Sequence, residues 1–508
     1  MDVANQRSKS KEISNFSSLV NTPSLVNTPH ESSHRNAEAH RLIETELQHN
    51  ERMPKDRQNV LKSALDFVSQ ISNSSLASQP MPNIPDTGMD LPSGSTAPEL
   101  LYMMLPKGND QITLHYRICV YTKAFFFLIK SPQHHYSKAV CERLKHSERD
   151  YKRVALASLG RLPFLSSPSL SLVQALLSGA MLMQYLGNMS YSWNLTAFAS
   201  RMLVALNLHA VETTDDLDDD TQASLYWCYY LDKVLSCLLV RQPSLPKLCI
   251  DPASMIPVHS ANPLQTTVKI MVEMAKIQEV VLEMQLNQDA VADKSLIDAI
   301  IFSADSLLTL IKETRASVPS RFQLDFDAAE FAQAAVSATI FKCSRWSSLY
   351  QDRCLENARK ALTVLIAMLN REDAQPDTED QYPSFLTWTV LLYPLTPYFV
   401  QFCNVVASSH KADFDLMRHV TKSMSRFVNA NEWIHKVYSL FSDFLVLCDP
   451  LMGQTVPQDE AGPETEVLLD DGTDRENANS AEKSLIWELF TSRPSLDWFD
   501  VPLMRDSF

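Results

Sequence analysis

Apolar side chains recur every three to four residues through most of this chain, with short polar interruptions. The spans lie near 98–105, 110–130, 147–159, 168–187, 191–209, 220–240, 263–287, 292–316, 328–350, 352–371, 383–408 and 411–447. This is the spacing of helices that bury one face. Pro, Asp and Asn clusters separate the spans, and the period-two alternation of strands is scarce. The stretch 168–187 is apolar on nearly every side, so it is expected near the centre of the core. In 191–209, Tyr191, Leu195, Phe198, Met202 and Ala205 share one helical face. The predicted fold class is all-α: one large multi-helix body over 98–450, between N-terminal and C-terminal segments expected to be disordered.

The flanking segments differ from one another. Residues 1–33 are rich in Ser, Asn and Thr and contain a near-repeat, 18–23 against 24–29; disorder is predicted there. A helical segment, 34–72, is expected to hold helices near 35–52 and 56–72, the second with Val60, Leu61, Leu65, Val68 and Ile71 on one face. The Ser/Pro-rich 73–97 reads as a linker. After the body, 451–484 is expected to be an acidic, disordered linker; between 457 and 483, nine Asp/Glu oppose Arg475 and Lys483. The tail, 485–508, sets Trp487, Phe490, Trp498 and Phe499 among Glu488, Asp497 and Asp500. Aromatic groups kept in water by acidic neighbours suit a short helix that docks into a partner's groove. Those four aromatics are the candidate partner-binding residues.

Composition narrows the function classes. Only 9 glycines occur in 508 residues, too few for glycine-rich phosphate loops or for sheets with many tight turns. The net charge of -15 is expected to repel a nucleic-acid backbone, and no basic run is dense enough to offset it. The 9 cysteines include no C-x-x-C pair and most sit in apolar helical runs, as small hydrophobes of a reduced, intracellular protein do. The polar N-terminus is no signal peptide. No apolar run is expected to reach membrane-spanning length; 386–406 is interrupted by Pro394 and Pro397 and reads as buried helix. No membrane partner is expected.

The most specific pattern lies within 169–251. One helix contributes Ala199, Arg201, Met202, Ala205, Leu206, Leu208 and His209. An acidic gap follows, then Leu225, Trp227, Tyr230, Leu231 and Asp232, and the stretch closes with Arg241, Pro243 and Ser244. This order resembles the middle region of fungal zinc-cluster transcription factors, roughly A-x-R-M-A-x-x-L-G-L-H, an acidic gap, L-F-W-x-x-Y-x-L-D-R and G-R-P-x-x-I. Asn207 and Val240 stand where that pattern has glycine, residues 222–224 replace its arginines, and Gln242 is inserted before Pro243. Looser similarity reaches 99–102 and 393–399.

The resemblance implies a nuclear transcription regulator, an activator controlling a metabolic gene cluster, with 98–450 as its regulatory domain. Its partners would be a coactivator or other regulators, with room for a small-molecule effector and a homodimer. It gives Arg201, His209, Trp227, Asp232, Arg241 and Pro243 structural or regulatory roles. The family binds DNA through six clustered cysteines that hold two zinc ions, whereas residues 1–118 contain no cysteine. No cofactor is therefore expected in this chain. Zinc would come only with a missing N-terminal cluster, and DNA contact would be indirect or through that module.

Several residues admit a second reading. Asp215-Asp216-Leu217-Asp218-Asp219 satisfies D-D-x-x-D, the magnesium motif of all-α terpene synthases. No second ligand set follows it, so capping of helix 220–240 is the expected role. Arg201 and Asp232 are expected either as exposed charges or as a buried pair bridging 191–209 and 220–240. His209 is expected to cap a helix end. Met181, Met183, Met202, Trp193, Tyr226, Trp227 and Tyr230 are expected in the core or around a small cavity. No nucleophile with a nearby base is evident. The chain is expected not to be an enzyme, with a terpene-synthase-type enzyme and a helical ligand-binding or scaffold protein as alternatives.

Overall fold

The computed structural model describes residues 110–452 apart from short intervals, the longest being 372–384, together with Asn59, Val60 and Ser63. The expectations for 1–33, for the linkers, for helices 35–52 and 98–105, and for the tail lie outside the described residues. Of helix 56–72, Asn59, Val60 and Ser63 are described; all three are helical and Val60 is buried.

Every regular element among the described residues is a helix. In order they are α1 (Asp110–Lys130), α2 (Lys138–Leu159), α3 (Leu170–Tyr185), α4 (Met189–Ala205), α5 (Asp219–Leu239), α6 (Pro263–Leu286) and α7 (Lys294–Ser317). Then come α8 (Gln323–Cys343), α9 (Ser348–Leu369), α10 (Phe385–Trp388), α11 (Leu395–Ser408), α12 (Lys411–Met424) and α13 (Glu432–Met452). The all-α prediction holds. Most predicted spans coincide with helices, and the departures have local causes. The span 191–209 ends at Ala205, because Asn207 turns left-handed at φ 59° and a 3-10 turn occupies Leu208–Ala210. The span 383–408 divides into α10 and α11 around Pro394, while Pro397 sits in the first turn of α11, where its missing N–H costs nothing. The span 411–447 divides into α12, a 3-10 turn at Ser425–Phe427, and α13.

Each helix packs mainly on its neighbours in sequence. α1 also touches α3, α3 also touches α5, and α8 lies against α6, α7, α9 and α11. One hydrophobic core runs from Ile118 of α1 to Leu451 of α13. Two smaller clusters flank it, Tyr121, Phe125, Tyr151, Ala155 and Leu182 at one end, and apolar groups of α6, α7 and α8 at the other. As predicted, α3 is deeply buried. Gly179 makes this possible: a Cβ there would stand 2.7 Å from Leu159 Cδ1. Polar ties fix the later helices. Arg359 of α9 grips Asp413 of α12 through Nε and Nη2, both at 2.7 Å. The buried Tyr398 hydroxyl of α11 donates to the Phe441 carbonyl at 3.1 Å.

The segment Gln111–Ile129 is long and apolar enough to cross a membrane by length and composition, which corrects the expectation that no apolar run reaches that length. Its Tyr121 and Phe125 pack against α2 and α3. Cys228, Cys354, Cys403 and Cys448 are buried as small hydrophobes, whereas Cys249 is exposed. All those described are free, and burial pushes the thiols of Cys228, Cys354 and Cys448 up to about 12.

Candidate functional site

The residues singled out by pattern converge where α4, α5 and the segment 240–256 meet. α4 begins after a tight reversal in which Gly187 takes φ 84° and the Asn188 side chain accepts from Tyr191 N at 3.0 Å. Its inner face carries small hydroxyls. Ser192 donates to the Ala180 carbonyl at 2.8 Å, and Ser200 lies 3.3 Å from Cys228 Sγ of α5. Such side chains let three helices approach closely while their polar atoms stay satisfied.

The acidic gap is a turn that launches α5. Asp215 and Asp216 belong to a 3-10 turn, and Asp218 is the N-cap, its carboxylate accepting from Thr221 N at 2.8 Å. These hydrogen bonds hold the Asp218 carboxyl below the usual carboxylate range. Gln222 Nε2 closes the turn by donating to the carbonyls of Thr214 and Leu217. Capping is therefore the structural role of this run. Among the described residues no group of three His, Cys, Asp or Glu could hold a metal ion.

Further along α5, Asp232 and Lys233 are both about 1% exposed. Asp232 accepts from the backbone N–H groups of Ser244 at 2.8 Å and Leu245 at 3.2 Å. Lys233 Nζ lies 3.3 Å from Asp232 Oδ2 and 3.1 Å from Glu279 Oε1 of α6, and donates to the Leu245 carbonyl at 3.1 Å. The Tyr229 hydroxyl donates to Glu279 Oε2 at 2.8 Å. Burial raises the Asp232 carboxyl above its ordinary value despite Lys233 and the two backbone donors. It also raises Tyr229 far above the ordinary phenol, with Glu279 adding to the effect. The network clamps segment 244–245 between α5 and α6 and leaves no free base or nucleophile.

A second clamp closes the end of α5. Val240 adopts φ 52°, and the amides of Val240 and Arg241 both bond the Ser236 carbonyl. The Arg241 guanidinium then lies 4.9 Å from the ring centroid of Trp193 on α4, and Trp193 Nε1 donates to Ser236 Oγ at 3.0 Å.

The six pattern residues thus fall in different settings. Asp232 and Arg241 are in the clamps, and the half-buried Pro243 precedes Ser244 with its ring fixing the chain direction. Trp227 packs edge-to-face on Tyr230 at 5.7 Å. His209 lies in the 3-10 turn after α4, and its carbonyl accepts from Cys249 N at 3.2 Å. The tie between 209 and 249 is thus made by backbone, and His209 stands beyond the end of α4 at Ala205. Arg201 is exposed, one of the two settings expected for it, and the alternative of a buried pair with Asp232 is not formed. The cation beside Asp232 is the next residue, Lys233. Lys233 and Glu279 are the network members missed in the sequence; the available signal was a second consecutive charge on an otherwise apolar helix.

The core alternative holds for most of the Met and aromatic side chains expected in the core or around a cavity. A groove with about 70 Å³ of free volume lies between the end of α2, α3 and α4, lined among others by Leu159, Leu162, Leu176, Leu195, Phe198 and Met202. Of the side chains expected around a cavity, only Met202 borders it. The others pack in or against the main core. The four tail aromatics lie outside the described residues.

Residues 128–262 match the fungal specific transcription factor domain. No curated protein matches the chain. The matched stretch contains the groove, the Arg241 clamp and all of the Asp232 clamp except Glu279. That domain is described for transcription factors and not for an enzyme family, which supports a fungal transcription regulator in general terms.

Proposed function

We propose, on the premise that residues 128–262 are a fungal specific transcription factor domain, that this chain is a transcriptional activator whose helical body regulates an effector tail at 485–508. The observation that carries this reading is the pairing of that domain with an acidic-aromatic tail. In the tail, Trp487, Phe490, Trp498 and Phe499 are each within two residues of Glu488, Asp497 or Asp500. The tail acts by contact: its aromatics fill an apolar groove on a coactivator, and its carboxylates keep it soluble and steer the encounter.

The clamps keep α4, α5 and α6 in one fixed arrangement, so the body serves as a rigid scaffold from which the tail is presented. DNA is reached indirectly, through a partner or through a zinc cluster outside this sequence, in keeping with the net charge of -15. The regulated genes are those of a metabolic cluster, and the protein acts in the nucleus.

The test is a reporter assay with the chain fused to an unrelated DNA-binding domain. Truncation after Pro457 is expected to lower activation at least tenfold, with the truncated protein present at equal level. Undiminished activation would overturn the effector assignment.

A further inference from the structure

The outward face of α12 carries charge of nearly one sign. Its inward face, Asp413, Phe414, Met417, Val420, Thr421 and Met424, is buried. On the opposite side Lys411, Arg418 and Lys422 follow one another at helical spacing, and Arg426 extends the row into the 3-10 turn at Ser425–Phe427; all four are exposed. The row is about 20 Å long, with Arg418 and Lys422 roughly 6 Å apart along the axis. Two carboxylates occur between 411 and 427. Asp413 points inward and is held by Arg359, which leaves Asp415, 3.0 Å from Arg418, against four cations. Among the described residues Lys411 and Lys422 have no carboxylate partner. No run of sequence shows this concentration, because the cations are spread along 411–426 and only the helical period gathers them.

A merely solvated face mixes its charges, as α7 does with Asp298, Asp305, Lys312 and Glu313. Helix stability does not explain the row either: Lys411 stands in the first turn, where the dipole disfavours a cation. Both guanidinium groups are held in place. Arg418 lies 4.6 Å from the ring centroid of Phe414, and Arg426 lies 5.4 Å from that of Phe427 and donates to the Leu369 carbonyl. Groups held in this way lose little freedom on binding. Among the described residues, no exposed large hydrophobic side chain lies between 411 and 427. A protein partner would want an apolar anchor at the centre of the contact. A surface that is polar and cationic throughout suits a nucleic-acid backbone.

We propose that the outward face of α12 is a contact for the phosphate backbone of duplex DNA, with Lys411, Arg418, Lys422 and Arg426 facing phosphate oxygens. Alternate phosphates of one strand lie roughly 7 Å apart along the duplex axis, close to the separation of Arg418 and Lys422. Such contacts fix position and read no sequence, so target choice stays with a partner or with a zinc cluster outside this sequence. The net charge of -15 does not forbid the contact, because exposed charges more than about 8 Å away are largely screened at physiological salt. Contacts of this kind are weak alone, with dissociation constants of about 10⁻⁴–10⁻⁶ M. Once another module holds the DNA, an effective concentration of about a millimolar makes them count. The phosphate contact goes beyond the indirect route to DNA given above and is independent of the effector tail. Only the choice of DNA over RNA rests on the reading as a transcription regulator.

Full-length protein would be titrated into a fluorescein-labelled duplex of arbitrary sequence, and the anisotropy followed from roughly 50 to 200 mM salt. Binding is expected at the low end, with a log–log salt slope of about −3 and equal affinity for unrelated duplexes. Lys411→Ala with Lys422→Ala should lower the low-salt affinity about tenfold or more and reduce the slope by about 2, while leaving the helical circular dichroism unchanged. Lys138→Ala with Arg143→Ala, at exposed cations of α2, should change neither. A folded protein that binds no duplex at low salt, an affinity and slope indifferent to the change at 411 and 422, or an equal loss in the α2 variant would each overturn the proposal. So would tighter binding of duplex RNA or of polyglutamate, which would make the partner RNA or an acidic protein. None of these results bears on truncation of the tail, so the effector assignment stands or falls separately.

Discussion

A β-branched residue in left-handed backbone is costly, and Val240 is one, at φ 52°. It ends α5 where the related pattern has glycine, and Asn207, at φ 59°, ends the turn after α4 where that pattern also has glycine. Asn tolerates this conformation and Val does not, so strain sits at one of the two positions. Val240→Gly should therefore stabilise the protein by about 1 kcal/mol, the relief of strain exceeding the added freedom of the unfolded chain. A rise in the urea midpoint at unchanged slope would show it; a fall would mean that Val240 is not strained. Asp232→Ala should act the other way, by roughly 3–5 kcal/mol, because it leaves two buried N–H groups and part of the Lys233 charge without their partner. Arg201→Ala, at an exposed position, should change the same midpoint by less than about 0.5 kcal/mol. That Asp232 would be buried and paired was legible from a lone acid on an apolar helix. Its partners were not, because adjacent helical residues do not face one another ideally, and the backbone donors at 244 and 245 carry no side-chain signature.

Among the elements, α5 illustrates how local chemistry sets a boundary. The Asp218 side chain fixes its start, and the hydrogen bonds from Thr221 hold the carboxyl below its ordinary value near 3.8. A carboxyl whose folded value is depressed stabilises the fold above its unfolded value, and that contribution disappears as pH falls through the folded value. Acid titration of the native protein below pH 4 should thus include a stability loss that Asp218→Asn lacks, since Asn still caps but does not titrate. Identical acid profiles for the two proteins would remove Asp218 from the account. Helix existence was legible throughout the body because long apolar periodicity is a strong signal. Helix ends were less so. The apolar pattern continues past Ala205 to Leu206 and Leu208, although the backbone has already turned at Asn207. Periodicity reports which residues face the core, and a turn between two packed helices can keep its apolar residues facing that core too. The groove was illegible for a related reason. Its walls come from three helices and the 160–163 segment, and no single stretch of sequence shows how far apart they stand.

At the scale of the whole molecule, the boundary at 262 does not coincide with a boundary in packing. The main core includes Leu176 and Leu231 from within 128–262 and equally Phe341, Tyr398 and Phe441 from beyond it. Lys233 depends on Glu279 of α6 for its second carboxylate, and Cys237 packs against the cluster of α6, α7 and α8. Ending the chain at 262 would uncover Tyr229, Tyr230 and Cys237 and leave Lys233 without Glu279. At about 1.5–3 kcal/mol for each large apolar side chain, and roughly 3–5 kcal/mol for breaking a buried ion pair, the loss matches the usual net stability of about 5–15 kcal/mol. A fragment ending at 262 should accordingly lack a cooperative urea transition and near-ultraviolet dichroism, whereas one extending to 452 should show both. If the shorter fragment unfolded cooperatively, the two halves would be separate folding units and α5 would be their interface. If it does not, the matched region and the helices after it form one body, and substitutions as far away as α8 will act on the clamps around Asp232.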